Sequence, residues 1–199
     1  NIANTYLYKD LLAMNEILRP ILLEKLLIAL ALQVGSEVSY NEVAQTIGTD
    51  NKTVEKYIDL LEKCYVIFRL NAFNRNLRTE LKKSKKIYFY DNGIRNAVIQ
   101  NFAPLSLRQD TGALWENFFI SERIKANHYN GNYAKSFFWR TTQQQEIDYI
   151  EEADGNFTAF EMKWNPNKRP ITFPSPFLNN YPVKETVVIT PENYLEWVM

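Results

Sequence analysis

The chain has 199 residues, of which 46% are hydrophobic, and its 23 basic side chains balance 23 acidic ones. This size fits one large or two small domains with a packed core, and the zero net charge argues neither for nor against a nucleic-acid partner. Every apolar run is shorter than the ~18 residues of a membrane span, and the single cysteine excludes an internal disulfide and favours a cytoplasmic location.

The N-terminal half predicts helices with clear start and stop signals. Residues 1–19 are expected to form a helical lead-in, and Pro20 begins a helix that ends before Gly35. The segment Ser39-Tyr40-Asn41-Glu42 is a capping box, which predicts a second helix. Asp50 can cap a third helix that follows closely.

Two predicted strands, over residues 66–73 and 86–90, flank a strongly basic stretch. Three helices followed by such a hairpin are typical of a winged helix-turn-helix domain, which we expect over residues 20–108. Its third helix would enter a DNA groove, and its wing would contact phosphates. The residues expected to bind DNA are Asn51, Lys52, Lys56, Arg75, Arg78, Lys82, Lys83, Lys85 and Lys86.

Acidic side chains on the third helix weaken this interpretation. Glu55, Asp59 and Glu62 would repel phosphates. A winged helix that only packs against another part of the protein, or binds a protein partner, is therefore the alternative for this domain.

The C-terminal part, residues 109–199, predicts a second domain with a small mixed sheet and flanking helices, so the chain as a whole is expected to be α+β. A helix that carries Glu116 comes first, and a loop rich in proline separates the third strand from the last. The predicted strands cover residues 135–140, 145–150, 157–164 and 186–190.

The strand over residues 157–164 carries an acid and a base on the same face, because side chains along a strand alternate. Glu161 and Lys163 share that face, and the turn signal Asp154-Gly155 predicts a hairpin that brings Asp148 close to both. The opposite face is expected to be core, with Phe160, Met162 and Trp164.

Two carboxylates on neighbouring strands suit Mg²⁺ or Mn²⁺, which prefer oxygen ligands. Asp148 and Glu161 are the expected metal ligands, and Lys163 could orient an attacking water or stabilise charge on a phosphate. Two alternatives stay open: Glu161 and Lys163 could form a structural ion pair, and Glu146 could take the place of Asp148.

Glu116 on a helix, Asp148 on a strand and Glu161-Met162-Lys163 on the next strand resemble the PD-(D/E)XK nuclease superfamily. The proline that names the motif is missing, since Ile147 precedes Asp148. The resemblance covers residues 111–190. It implies a nuclease-like fold and a Mg²⁺-dependent site in which these four charged residues are catalytic.

Four segments extend the resemblance to nearly the whole chain: residues 4–11 (NTYLYKDL), 53–57 (TVEKY), 86–94 (KIYFYDNGI) and 112–117 (GALWEN). They look like the C-terminal region of prokaryotic AAA+ family ATPases, a region of undefined function. This implies a cytoplasmic protein whose ATPase domain precedes Asn1. The expected function is a DNA-interacting module with a nuclease site. The alternative is a non-catalytic module that binds nucleic acid or protein on a retired nuclease fold.

Overall fold

The computed structural model describes residues 19–73, 84–165 and 171–199. In these residues the chain is α+β, with seven α-helices and seven strands. They form two compact units: residues 19–69 with 84–108, and residues 70–73 with 109–165 and 171–199. The predicted lead-in, apart from Arg19, lies outside the described residues.

The first unit begins with three helices, α1 (Pro20–Leu32), α2 (Tyr40–Ile47) and α3 (Asn51–Lys63). Their start signals act as the sequence predicts. The Ser39 hydroxyl accepts a hydrogen bond from the Glu42 amide at 3.4 Å, and Asp50 accepts one from the Thr53 amide at 2.9 Å. Each satisfies an amide that the first helical turn leaves without a partner.

Short strands complete the first unit. Strand β1 (Glu37–Val38) pairs antiparallel with β3 (Lys85–Phe89), and β2 (Ile67–Ala72) lies on the other side of β3. Helix α4 (Asn92–Val98) and a 3₁₀ turn (Leu105–Leu107) follow. The guanidinium of Arg95, 3% exposed, donates a 2.8 Å hydrogen bond to the Ala31 carbonyl and so ties α4 to the end of α1.

The second unit begins with the long helix α5 (Thr111–Tyr129). The elements after it are β4 (Lys135–Arg140), β5 (Glu146–Ala153), β6 (Asn156–Met162), α6 (Ser175–Asn180), β7 (Val183–Ile189) and α7 (Leu195–Val198). The sheet has the order β2-β4-β5-β6-β7, where β2 contributes its last residues. The pairs β2–β4 and β6–β7 are parallel and the others antiparallel, so the sheet is mixed.

Both faces of this sheet are covered. One face carries a cluster of buried residues that includes Phe177 of α6, and on the other Phe160 packs against Phe119 of α5. The prediction that one face of β6 is buried is confirmed for Phe160 and Met162 but wrong for Trp164, which is 41% exposed. The strand ends at Met162, so Trp164 lies beyond the sheet that would have covered it.

Candidate functional site

The hairpin of β5 and β6 positions the two predicted metal ligands. Tyr149 pairs with Phe160 and Ile150 with Ala159, and the same antiparallel register, continued by one residue, sets Asp148 beside Glu161. Asp148 Oδ2 accepts a 3.0 Å hydrogen bond from the Met162 amide. At this end of the hairpin, a side-chain oxygen and not a backbone carbonyl therefore accepts the hydrogen bond of the β6 amide.

The ammonium of Lys163 lies between the two acids. Its Nζ is 2.9 Å from Glu161 Oε2 and 4.0 Å from Asp148 Oδ2. Glu161 is 8% exposed, whereas the Lys163 side chain is 38% exposed and opens the cluster to solvent. The structure therefore brings together the three residues that strand alternation and the Asp154-Gly155 turn predicted to meet.

Burial and neighbouring charge set the protonation of this cluster. The pKa of Glu161 is raised to about 7: burial is the largest cause, the charge and a side-chain hydrogen bond of Asp148 also raise it, and Lys163 lowers it. Burial alone would lower the pKa of Lys163, but its hydrogen bond to Glu161 and the nearby acids raise it overall. Glu161 can therefore exchange a proton near neutral pH.

Glu116 completes the predicted set from another element. It is half-buried on α5, and its negative charge is one of the causes that raise the pKa of Lys163. A carboxylate on α5 thus lies close enough to Lys163 to act on its ammonium through charge. After α5 the chain forms β4, then β5 with Asp148, then β6 with Glu161.

The two carboxylates could bind a hard divalent cation whose remaining ligands are not protein groups. In the described parts of the chain, no group of three or more His, Cys, Asp or Glu is arranged to hold a metal ion. Asp148 and Glu161 supply two carboxylates, and Mg²⁺ is commonly held by one or two carboxylates together with waters and phosphate oxygens. Lys163 would have to leave Glu161 for both acids to serve as ligands.

A second charged cluster in the same unit escaped the sequence reasoning. Glu151 is 5% exposed and accepts hydrogen bonds from Arg123, Asn127 and Tyr149. Arg123 also donates to the Trp197 carbonyl at 2.6 Å. Strand alternation, which places Glu151 on the same face of β5 as Tyr149, is the sequence feature that points to this cluster. Since its acid is fully bonded, we interpret this cluster as structural.

In the first unit, the predicted DNA-binding residues fall into three groups. Asn51, Lys52 and Lys56 are exposed on α3. Lys85 is half-buried, with its Nζ 5.2 Å from the centre of the Tyr40 ring. Lys86 is only 2% exposed, so its expected contact with phosphate is wrong, because its side chain is buried away from solvent. The other four, Arg75, Arg78, Lys82 and Lys83, lie outside the described residues.

Two of the acids that weakened the DNA interpretation have a local partner. Arg69 of β2 forms ion pairs with Asp59, at 2.7 Å, and with Glu62. The Glu62 carboxylate also accepts a 2.6 Å hydrogen bond from the Arg69 amide. These contacts neutralise part of the acidic charge on α3, and Glu55 stays exposed beside Lys52 and Lys56.

Comparison with known proteins gives a family. The family model described as "Domain of unknown function (DUF8612)" matches residues 1–105, more than half of the chain. The chain belongs to this family. A second model, "Domain of unknown function (DUF4143)", matches residues 111–197 of this DUF8612 member, so the two matches divide the chain near residue 108, where the first unit ends.

Three proteins similar to this DUF8612 member are each described as uncharacterised. An uncharacterised protein of Mycobacterium tuberculosis is 27% identical over 161 residues, which cover 80% of this chain and 36% of that protein. An uncharacterised protein of Methanocaldococcus jannaschii is 29% identical over 50% of this chain and 22% of its own length. An uncharacterised Bro-N domain-containing protein of Acanthamoeba polyphaga mimivirus is 28% identical over 57% of this chain and 56% of its own length.

The chain thus spans about a third of the length of the mycobacterial relative. No solved structure matches it. Among the described residues, no helix is both long and apolar enough to cross a bilayer.

Proposed function

We propose that the second unit is a nuclease domain of the PD-(D/E)XK type that depends on Mg²⁺ or Mn²⁺. The observation that carries this proposal is the position of Lys163 Nζ, 2.9 Å from Glu161 and 4.0 Å from Asp148, at the ends of two antiparallel strands. An acid pair with an adjoining ammonium, partly open to solvent, suits the hydrolysis of a phosphodiester.

Each residue has a distinct role in this proposal. A bound divalent cation would supply Lewis acidity and lower the pKa of its bound water. Asp148 and Glu161 would hold the ion, and Glu161 would release its proton as it does so, since its pKa is about 7. Lys163, freed from Glu161, would orient the water or balance charge on the phosphate. Glu116 would add a carboxylate from α5.

The first unit would deliver the nucleic acid. We interpret its three helices and the strands β2 and β3 as a winged helix, in which α3 presents Lys52 and Lys56 to DNA. The partial neutralisation of α3 by Arg69 supports this role. The relatives extend well beyond this chain. We therefore infer, as the resemblance implies, a cytoplasmic AAA+ protein whose N-terminal ATPase domain acts on the module.

Cleavage of labelled DNA and RNA in Mg²⁺ or Mn²⁺ tests the nuclease proposal directly. We expect wild type to cut DNA, and Lys163→Ala to reduce the rate by at least about 100-fold, as the loss of an electrostatic catalytic group does. Lys125→Ala is the matched control, because Lys125 pairs with Glu122 on α5 in the same unit. Cleavage that persists undiminished in Lys163→Ala, or none in wild type, would contradict the proposal.

A non-catalytic module on a retired nuclease fold is the second candidate. The 2.9 Å contact of Lys163 with Glu161 is also what a purely structural ion pair would show. In that case Mn²⁺ would leave the melting temperature of the protein unchanged, and DNA would bind without being cut. Measurements of DNA cleavage and of the melting temperature with Mn²⁺ therefore distinguish the two candidates.

A further inference from the structure

Helix α1 is apolar on nearly every side, and yet one of its faces lies in solvent. Ten of its 13 residues are Ile, Leu or Ala, and a helix that is hydrophobic all round is ordinarily buried all round. Seven of these ten are buried in the first unit. The other three, Ile21, Ile28 and Leu32, are 71%, 37% and 66% exposed. The composition of α1 therefore calls for a partner on the face that the described residues leave uncovered.

The three exposed apolar side chains form one stripe along α1, which we call the α1 stripe. At about 100° per residue, Ile21, Ile28 and Leu32 fall within about 40° of one another around the helix axis. Two exposed charges border the stripe on opposite sides, Glu24 about 60° from Ile21 and Lys25 about 40° from it. Within the described residues, neither charge is part of an ion pair. The stripe thus has one acidic border and one basic border, both open to a partner.

These borders specify which partner fits. If two copies of α1 lie parallel across a twofold axis, the acidic border of each helix meets the basic border of the other, as the flanking charges do in parallel coiled coils. Glu24 then lies beside the partner's Lys25 at nearly the same height, because the two residues are adjacent in the chain. In an antiparallel pair, each border would meet its own counterpart, acid against acid and base against base. The α1 stripe is therefore complementary to itself in the parallel orientation.

We propose that the α1 stripe is the interface of a homodimer in which the two copies of α1 pack in parallel. Ile21 and Ile28 contact their counterparts near the twofold axis, and two ion pairs between Glu24 and Lys25 flank them. The same patch serves both subunits, as a twofold interface requires. A pair of short helices buries less surface than a standard interface, so the dimer should be weak and should form as the protein concentration rises. The interface does not depend on the proposed nuclease site.

Sedimentation velocity on the whole chain, over a range of protein concentrations, tests the interface. Wild type should pass from monomer to dimer as the concentration increases. Ile21→Glu places two acids near the twofold axis and should abolish the dimer, and it should not unfold the chain because Ile21 is 71% exposed. Leu107→Glu is the matched control and should dimerise as wild type does, because Leu107 is a similarly exposed apolar residue of the same unit, at 76%, on another element.

Charge reversal tests the orientation. Glu24→Lys or Lys25→Glu alone turns both ion pairs into like-charge contacts and should weaken dimerisation about tenfold. The double variant restores both pairs with their signs exchanged, so it should dimerise nearly as well as wild type. Added salt should reduce these differences, because it screens exposed charges.

Three results would overturn the proposal. Wild type that stays monomeric at every concentration would leave the α1 stripe to another domain or protein. A dimer that survives Ile21→Glu would place the interface elsewhere, and a double variant as weak as the single ones would exclude the parallel arrangement. Circular dichroism of each variant at low concentration, where wild type is monomeric, separates a lost interface from a lost fold.

Discussion

Arg123 donates two parallel hydrogen bonds to the carboxylate of Glu151, from Nε to Oε1 and from Nη2 to Oε2, each 2.8 Å long. The pair joins α5 to β5, and its side chains are 15% and 6% exposed. Asn127 and Tyr149 also donate to Glu151, so the buried acid is surrounded by donors. Such a pair repays its desolvation only while both partners are present.

Glu151→Gln should therefore destabilise the protein strongly. It leaves the Arg123 guanidinium partly buried without its counter-charge, and we expect a loss of about 3 kcal/mol in the free energy of unfolding, measured in urea. Glu122→Gln, which removes an acid from the more exposed pair with Lys125, is the control and should cost less than about 1 kcal/mol. Equal losses in the two variants would contradict the structural importance of Glu151.

Mn²⁺ should raise the melting temperature of wild type, because an ion that binds only the folded state stabilises it by mass action. The shift should disappear in Asp148→Asn and in Glu161→Gln, each of which removes one proposed ligand charge. Asn at position 148 can still accept the Met162 amide, so it tests the ligand more cleanly than Ala does.

Glu146→Gln is the matched control for the metal experiment and also decides an alternative. Glu146 lies two residues before Asp148 on β5 and pairs with Arg140 at 3.5 Å. We expect its variant to keep the full Mn²⁺ shift. If the shift is lost in Glu146→Gln and kept in Asp148→Asn, the metal ligand is Glu146 and the assignment to Asp148 is wrong.

Stability should fall as the pH rises through the range in which Glu161 titrates. The pKa of Glu161 is about 7 in the folded state against 4.5 ordinarily, so between these values the folded chain holds a proton that the unfolded chain has lost. From pH 5 to pH 8 this group should remove about 2 to 3 kcal/mol from the free energy of unfolding. Urea titrations of Glu161→Gln, which cannot titrate there, should lack this component.

Lys52 and Lys56 should contribute to the salt dependence of DNA binding. Both are exposed on α3 and lie one helical turn apart. If each neutralises a phosphate, the double variant Lys52→Gln, Lys56→Gln should reduce the slope of log affinity against log salt by about 2. Lys125→Gln, on α5 of the other unit, should leave the slope unchanged. An unaltered slope in the double variant would exclude α3 from the DNA interface.

Local chemistry made much of this structure predictable. The caps at Ser39 and Asp50 form as expected, because a capping side chain acts within three residues of its own position. The approach of Asp148 to Glu161 and Lys163 follows from strand alternation and one tight turn, and both are short-range rules.

The features that were missed depend on contacts between distant parts of the chain. The parallel pairing of Asn71 with Phe137 joins β2 to β4, and no local spacing encodes it. The sequence predicts a surface position for Lys86, because it ends a basic stretch, whereas tertiary packing buries it. Arg123 and Glu151 are 28 residues apart in the chain, and only the docking of α5 on the sheet reveals their pairing.

The hydrogen bond from the Met162 amide gives Asp148 a structural role that does not depend on the proposed catalysis. Natural selection for folding alone would keep an acceptor at position 148, whether Asp or Asn. Within the described residues, the Glu161 carboxylate and the Lys163 ammonium contact side chains and not the backbone. A lineage without the proposed cleavage could therefore exchange both for apolar residues. Substitution at positions 161 and 163, with an acceptor retained at 148, would mark relatives that lack the proposed chemistry.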